Sequence, residues 1–220
     1  MPARLRPTAP IAAEAILVGD PGRALMLAQE LLAEPKMSNH ARGLWGYTGA
    51  AAAGRELTIQ ATGMGGPSAS VVLADLAELG VRRAVRIGTC ASLGDLALGE
   101  LVVVSEAREG RGAFASPEDG KAPRHPDPAL AEALRGQLPE ARVAPVLSLD
   151  SLYRPERDLP STLAEVADMQ TAALLAAAGE LGVGVAALLV VSERADAGQL
   201  PDEDLEAAAK AAGRAAAAVL

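Results

Sequence analysis

The sequence predicts an α/β domain built on a largely parallel sheet, and three observations predict it. Short apolar runs alternate with longer, alanine-rich segments that suit helices. Several runs are apolar throughout, as strands covered on both faces should be. Three strand-to-helix or strand-to-loop joins carry glycine, with arginine or hydroxyl residues beside them.

The elements follow in order. A strand over 14–18 (EAILV) stops at Gly19, and a helix over 21–33 begins at once. Asp20 is a good N-cap, and Pro21 suits the first helical position, where a missing N–H is no loss. A strand over 56–62 precedes a helix over 67–79, with Gly80 as a plausible left-handed terminator. Strands over 83–88 and 101–105 come next. Residues 108–127, rich in Gly, Pro and charge, show no period and read as a long loop, either a lid or oligomer contact or a plain surface loop. Then come a helix over 128–137, a strand over 142–149, a helix over 168–181 closed by Gly182, and a strand over 184–191. The alanine-rich end, 203–219, is a good C-terminal helix.

The chain of 220 residues suits one domain over 1–220. Half of it is hydrophobic but only 2% is aromatic, so the core must be aliphatic, with helices in close contact. A formal net charge of −8 argues against a nucleic-acid partner, which needs a basic surface. It leaves room for one small anion held by local arginines. Cys90 is the single cysteine, so no internal disulfide forms, and a cytoplasmic location is expected. No apolar stretch follows the arginines of MPARLRPTAP, and the longest apolar run, around 183–191, is too short to span a bilayer, so no signal peptide and no membrane partner are expected. His40 and His125 are not spaced as metal ligands.

The joins carry the chemistry. At VGDPGR the helix starts beside the strand's carboxyl end, where first-turn N–H groups and the dipole attract an anion. Gly19 permits close approach, and Arg23 adds forked donors. An ordinary turn with a surface arginine would show the same residues. At RIGTCAS, Arg86 lies within an apolar strand, where a guanidinium needs an anionic partner. That partner is either a bound anion or a structural carboxylate. Gly88 and Thr89 follow at the strand end, the usual ligand side of an open α/β sheet. At ATGMGGPSAS the third glycine of a dinucleotide fingerprint is replaced by Ser68, and no acidic residue ends the next strand, so that reading fails. What remains is a glycine turn placing Met64 and Ser68 at the same sheet edge. Phosphate is the anion these joins suggest.

The segments VGDPGRA, ARGLWGYTG, TGMGGPSAS, VRIGTCAS, LDSLYRPE, ADMQTAALL and VVSERADAG resemble, in order and spacing, those of the nucleoside phosphorylases. The similarity is to the hexameric branch that includes bacterial purine nucleoside phosphorylase and uridine phosphorylase, and runs from about Ala15 to about Ala197. It implies a three-layer α/β/α fold with a central mixed sheet, and cleavage of a nucleoside by inorganic phosphate to free base and ribose 1-phosphate. By this resemblance Gly19, Arg23, Arg86 and Thr89 bind phosphate. Arg42 reaches the neighbouring subunit's site, within a hexamer built as a trimer of dimers. Met64 lies under the ribose, Tyr153 or Leu152 packs on the base, and Met169 and Gln170 hold the sugar, with Cys90 and Asp168 beside the nucleoside. Arg86 and Glu193 are the catalytic residues, Glu193 as the acid that protonates the leaving base. No metal or organic cofactor is implied; phosphate is a co-substrate.

The chain departs from that family at three places. Asp168-Met169-Gln170 stands where Glu-Met-Glu is usual, and Glu193 where purine enzymes carry aspartate, with Arg194 next to it to hold it ionised. Only Ala3, Arg4 or Arg6 lies near the place of the histidine lent to a neighbour. GGPS resembles the uridine enzymes, whereas RGLWGYTG and Glu193 resemble the purine enzymes. The segment from Tyr153 to Asp168 lacks the uracil-reading insertion, and Gly43 replaces a cation-holding glutamate. Purine nucleosides are therefore the expected substrates, with uridine phosphorolysis as the alternative. A nucleoside-binding relative with weak or no catalysis, and a nucleosidase using water, are the remaining readings; Arg23, Arg42 and Arg86 argue against the last.

Overall fold

The computed structural model describes residues 4–110, 122–150 and 164–220. Ten strands form one sheet: β1 Glu14–Val18, β2 Ala33–Asn39, β3 Gly46–Ala50, β4 Glu56–Ala61, β5 Arg83–Ser92, β6 Leu101–Glu109, β7 Arg142–Ser148, β8 Val166–Asp168, β9 Gly184–Arg194 and β10 Gly198–Gln199. Among the described residues five α-helices cover it: α1 Pro21–Leu31, α2 Gly65–Glu78, α3 Pro128–Gln137, α4 Thr171–Leu181 and α5 Asp202–Val219. Among the described residues no helix is long and apolar enough to cross a membrane.

The strand order is β10-β9-β6-β7-β8-β5-β1-β4-β3-β2, and β9 also pairs with β5. Strands β5, β9, β6, β7 and β8 therefore close on themselves as a small barrel, from which β1, β4, β3 and β2 extend as an open wing. The sheet is mixed rather than largely parallel. Five of these pairings are parallel and five antiparallel. The ten-residue β5 makes the closure possible. Its first part lies parallel to β1 and β9, its register to β9 shifts between Cys90 and Ala91, and its end turns to pair antiparallel with β8. Such a shift bends a strand and re-aims the side chains beyond it.

Alternation within the central strands builds the layers. Ala15, Leu17, Ala84, Val185, Ala187 and Leu189 face α2 and α4 in one buried cluster. Ile16, Val18, Val85, Ile87, Ala186 and Leu188 face α1, α3 and α5 in another. The result is an α/β/α sandwich. The aliphatic core brings the helices close, as the composition implies: a Cβ on Gly213 of α5 would lie 2.6 Å from Leu27 Cδ2 of α1, and one on Gly66 of α2 would lie 2.7 Å from Ala173 Cβ of α4.

Several local expectations hold. Asp20 caps α1, its Oδ1 accepting from Arg23 N at 2.8 Å, with Pro21 at the start. Gly80 and Gly182 follow α2 and α4 with φ of +108° and +67°. Others need correction. β2 and β3 lay outside the expected strands because β2 is a polar edge strand interrupted by Pro35, and β3, paired between β2 and β4, is a five-residue strand carrying Gly46 and Gly49. Residues 166–168 are strand, and α4 starts at Thr171, because the Asp168 carboxylate accepts from Thr171 N at 3.1 Å and ends the strand there. The long loop is shorter than expected. β6 runs to Glu109, Arg124 exchanges two 2.8 Å backbone hydrogen bonds with Ala107, and Asp127 caps α3. Residues 111–121 of it lie outside the described residues.

Candidate active site

The carboxyl ends of β1, β4 and β5 converge with the start of α4, and the functional side chains gather there. Arg86 projects from β5 on the face shared by Ala84 and Cys90, yet is only 4% exposed. Its guanidinium lies directly over Gly88: a Cβ at that position would sit 2.5 Å from Nη2 and 2.7 Å from Cζ. Gly88 is thus needed for the arginine's own path, not only for approach of a ligand.

Arg86 meets a structural carboxylate. Nη2 donates to Asp168 Oδ2 at 2.9 Å, Nε to Thr171 Oγ1 at 3.1 Å, and Nη1 to Gln170 Oε1 at 2.5 Å. Three of its five N–H groups are engaged this way, leaving one on each terminal nitrogen for a ligand. Asp168 is 3% exposed and both its oxygens are taken. Oδ1 accepts from Ser148 Oγ at 2.6 Å, and Oδ2 also accepts from Thr171 Oγ1 at 2.6 Å. Ser148 Oγ in turn accepts from Ala172 N at 2.9 Å, so β7, β8 and α4 are tied at one point. A buried ion pair is tolerable when its remaining lone pairs are satisfied in this manner.

Arg23 stands opposite, half-buried in the first turn of α1. Burial pushes its pKa down, the Asp20 carboxylate opposes that shift, and the nearby Arg86 charge adds to it. Among the described residues its guanidinium has no ion-pair partner. Two cations close enough to repel, one of them unpaired, favour an anion between them. Gly19 lies at the same place, since a Cβ there would be 3.5 Å from Gly63 O and 3.9 Å from Gln170 Oε1. Cys90 is 3% exposed; burial pushes its thiol pKa up, Asp168 adds to that shift, and Arg86 opposes it. Thr89 is half-buried on β5, and Met169 is half-buried next to Gln170. Met64 precedes α2 and is 86% exposed, the most open large apolar side chain among the described residues.

Two further expected site residues are exposed. Arg42 is exposed in a tight turn, Ala41–Gly43, with φ of 60°. A left-handed arginine costs about 1 kcal/mol or more and persists only when its surroundings hold it. Here Asn39 Nδ2 donates to Leu44 O at 2.5 Å, and Gln60 Nε2 donates to the same carbonyl at 2.9 Å. Glu193 is exposed at the carboxyl end of β9, where Gln199 Nε2 donates to it at 3.5 Å. Arg194 does not pair with Glu193. Its guanidinium grips Asp196 with bonds of 2.6 and 2.9 Å, because side chains adjacent on a strand point to opposite faces. Leu152 and Tyr153 lie outside the described residues.

The sequence reading missed Thr62, Ser148 and Thr171. Thr62 Oγ1 lies 3.0 Å from Val18 O and 3.4 Å from Gln170 Oε1, linking the ends of β1 and β4 to Gln170. A signal existed for Thr171 alone: a hydroxyl three positions after Asp168 could have been expected to share its carboxylate.

Fold and site together define an α/β domain whose polar side chains gather at the carboxyl ends of its strands, where open α/β sheets bind their ligands. The model of the phosphorylase superfamily matches residues 14–220, and the chain belongs to that superfamily. It is 31% identical over 194 residues to the DeoD-type purine nucleoside phosphorylase of Caldanaerobacter subterraneus subsp. tengcongensis, covering 83% of both chains. To the enzyme of that name from a strain of Bacillus cereus it is 30% identical over 200 residues, covering 86% of this chain and 85% of the other. The fold is shared with purine nucleoside phosphorylase from Toxoplasma gondii in complex with immucillin-H, at TM-score 0.80 and 22% identity over 95% of this chain and 89% of that one. It is shared equally with uridine phosphorylase from Vibrio fischeri ES114, at TM-score 0.82 and 23% identity over 96% and 92%.

Proposed function

We propose that this protein is a nucleoside phosphorylase that prefers purine nucleosides. The observation that carries the proposal is the neighbouring pair Arg23 and Arg86, of which Arg86 is held by the buried carboxylate of Asp168 while Arg23 has no ion-pair partner among the described residues. Phosphate supplies the missing anion. The backbone at Gly19, the hydroxyl of Thr89 and the free N–H groups of Arg23 and Arg86 hold it, and Arg42 of a neighbouring subunit completes the cradle. The strained, well-braced turn at Arg42 supports a role outside its own chain. A phosphate oxygen attacks the anomeric carbon as the glycosidic bond breaks. The bonding pair passes to the base nitrogen, and Glu193, exposed and on the same strand ends, donates the proton that neutralises it. Holding the nucleophile in line supplies proximity, and its charge stabilises the developing sugar cation. Met64 and Met169 line the sugar.

The purine preference rests on relatives at 30–31% identity named as purine nucleoside phosphorylases. Uridine is the alternative substrate, supported by the sequence GGPS at 65–68. A hexamer of three dimers, working in the cytoplasm, is the assembly this reading implies. The test is base release from inosine, adenosine, guanosine, uridine and thymidine, each with and without phosphate. Release from purine nucleosides only with phosphate, abolished by Arg86→Ala, is expected. Release without phosphate, or none with folded protein, overturns the proposal.

A further inference from the structure

Glu193 does not stand alone at the end of β9. The chain turns back through 195–197 into β10, and the register sets Gln199 directly opposite Glu193. Residues facing each other across an antiparallel pair hold their side chains on one face, with Cβ atoms about 4.5–5.5 Å apart. Glutamate and glutamine have the same reach, so a carboxyl and an amide stand side by side at one level. Both are exposed and so open to a ligand. The hairpin that carries them is held firmly. Arg194 grips Asp196 with bonds of 2.6 and 2.9 Å and donates to Asp95 O at 3.3 Å, and Leu200 N donates to Ser192 O at 2.9 Å.

The amide has a direction. Gln199 turns Nε2, not its carbonyl, toward Glu193 Oε1 at 3.5 Å. A carboxylate oxygen only accepts, and so does the carbonyl oxygen of a carboxylic acid. The orientation therefore stands when Glu193 holds a proton on its other oxygen and when it has given that proton away. The amide nitrogen carries a second N–H, which is left for whatever lies beside the group that Glu193 meets.

Purines differ at that place. N7 accepts in all of them, whereas the neighbouring 6-position is an acceptor, O6, in guanine and hypoxanthine and a donor, the N6 amine, in adenine. We propose that Gln199 reads the 6-position of the base and selects 6-oxopurine nucleosides over 6-aminopurine nucleosides. This rests on the function proposed above, with Glu193 as the acid. As the bond from the anomeric carbon to N9 breaks, its electron pair enters the imidazole ring of the base. N7 takes the Glu193 proton, and Glu193 is left as a carboxylate. The free N–H of Gln199 donates to O6 alongside. Adenine would set donor against donor, unless the amide flipped and brought Gln199 Oε1 against a Glu193 oxygen.

The test compares the unaltered protein with Gln199→Leu and Gln199→Glu, by kcat/KM for inosine and adenosine with phosphate and by calorimetric titration with hypoxanthine and adenine. The unaltered chain should favour inosine at least roughly tenfold, the scale of one well-made polar contact to a base edge. Gln199→Leu should bring the inosine-to-adenosine ratio toward one, mainly by lowering inosine. Gln199→Glu, whose side chain only accepts when ionised, should put adenosine first. A merely structural role would lower both nucleosides alike and leave the ratio unmoved. Equal or better use of adenosine by the unaltered protein, release from uridine alone, or a ratio that Gln199→Leu leaves unchanged overturns the proposal. If Gln199→Leu does not fold, Gln199→Glu decides by the same ratio. If the unaltered protein cleaves no nucleoside with phosphate, the function proposed above fails. The titrations then still decide this inference: hypoxanthine bound no tighter than adenine rejects it.

Discussion

Substituting Gly88 by alanine adds one methyl group, and the structure says where it goes. The new Cβ would stand 2.5 Å from Arg86 Nη2, 2.7 Å from Cζ and 3.0 Å from Leu189 Cδ2. Ordinary contact lies near 3.5–4.0 Å, so the guanidinium must retreat by about 1 Å. It cannot do so freely, being held by Asp168 at 2.9 Å, Thr171 at 3.1 Å and Gln170 at 2.5 Å. A retreat of that size takes the Asp168 bond past normal hydrogen-bond length. A charge-assisted bond of this kind contributes about 1.5–3 kcal/mol, and overpacking a tight core costs about 1–3 kcal/mol. Partial relaxation brings the expected loss to about 2 kcal/mol, or roughly 4–8 °C in melting temperature for a chain of this size. The two free N–H groups move with the guanidinium, so phosphate KM should rise about tenfold, equivalent to about 1.4 kcal/mol of lost binding. Thermal melts with and without phosphate, and phosphate-dependent kinetics, measure both effects. A Gly88→Ala protein that melts within about 1 °C of the unaltered chain, with unchanged phosphate KM, would refute the placement of Arg86, since a shift under a quarter of the smallest expected one leaves no displaced bond.

Other outcomes follow from the same contacts. Asp168→Ala leaves Arg86 buried without its carboxylate, at a cost of about 3–5 kcal/mol; added phosphate should then raise the melting temperature more than it does in the unaltered protein, as differential scanning fluorimetry would show. Asp20→Ala removes the cap bond to Arg23 N and should cost about 1 kcal/mol in a denaturant melt. Cys90 should resist thiol reagents until the protein unfolds. Because burial raises its pKa in the folded state from the ordinary 9.0, both states hold the proton below about pH 9. Above that only the unfolded thiol ionises, so stability should fall with rising pH by up to about 1.4 kcal/mol per unit, a slope that Cys90→Ala should reduce.

Much of this architecture was legible because local chemistry and tertiary structure agree. Gly19, Asp20 and Pro21 specify a turn and a cap without outside help, and the central strands declare themselves by being apolar on both faces. The polar wing was hidden for the opposite reason. β2 reads AEPKMSN, and nothing in such a strand announces pairing, because its partner β3 supplies the order. The barrel closure was hidden too. It depends on a register shift at Cys90 and on the three-residue β8, and neither leaves a period in the sequence. In the site, Arg86 announced that it needed an anion but not which one. Thr62, Ser148 and Thr171 are ordinary hydroxyl residues until the fold brings them to Gln170 and Asp168.

The pairing of Arg86 with Asp168 explains how an arginine can be buried here and still be useful. With no internal anion, Arg86 would be too costly to bury in the empty protein. Asp168 supplies one negative charge and fixes the direction of the guanidinium, while Gln170 completes the geometry without adding charge. Arg23, held nearby with only exposed Asp20 to oppose its charge, raises the demand for a further anion. Ligand binding and stability are then linked. An anion that binds only the folded protein stabilises it by mass action, by about 2.7 kcal/mol at a hundredfold excess over Kd. Removing Asp168 should steepen that dependence, which a purely structural role for the carboxylate would not produce.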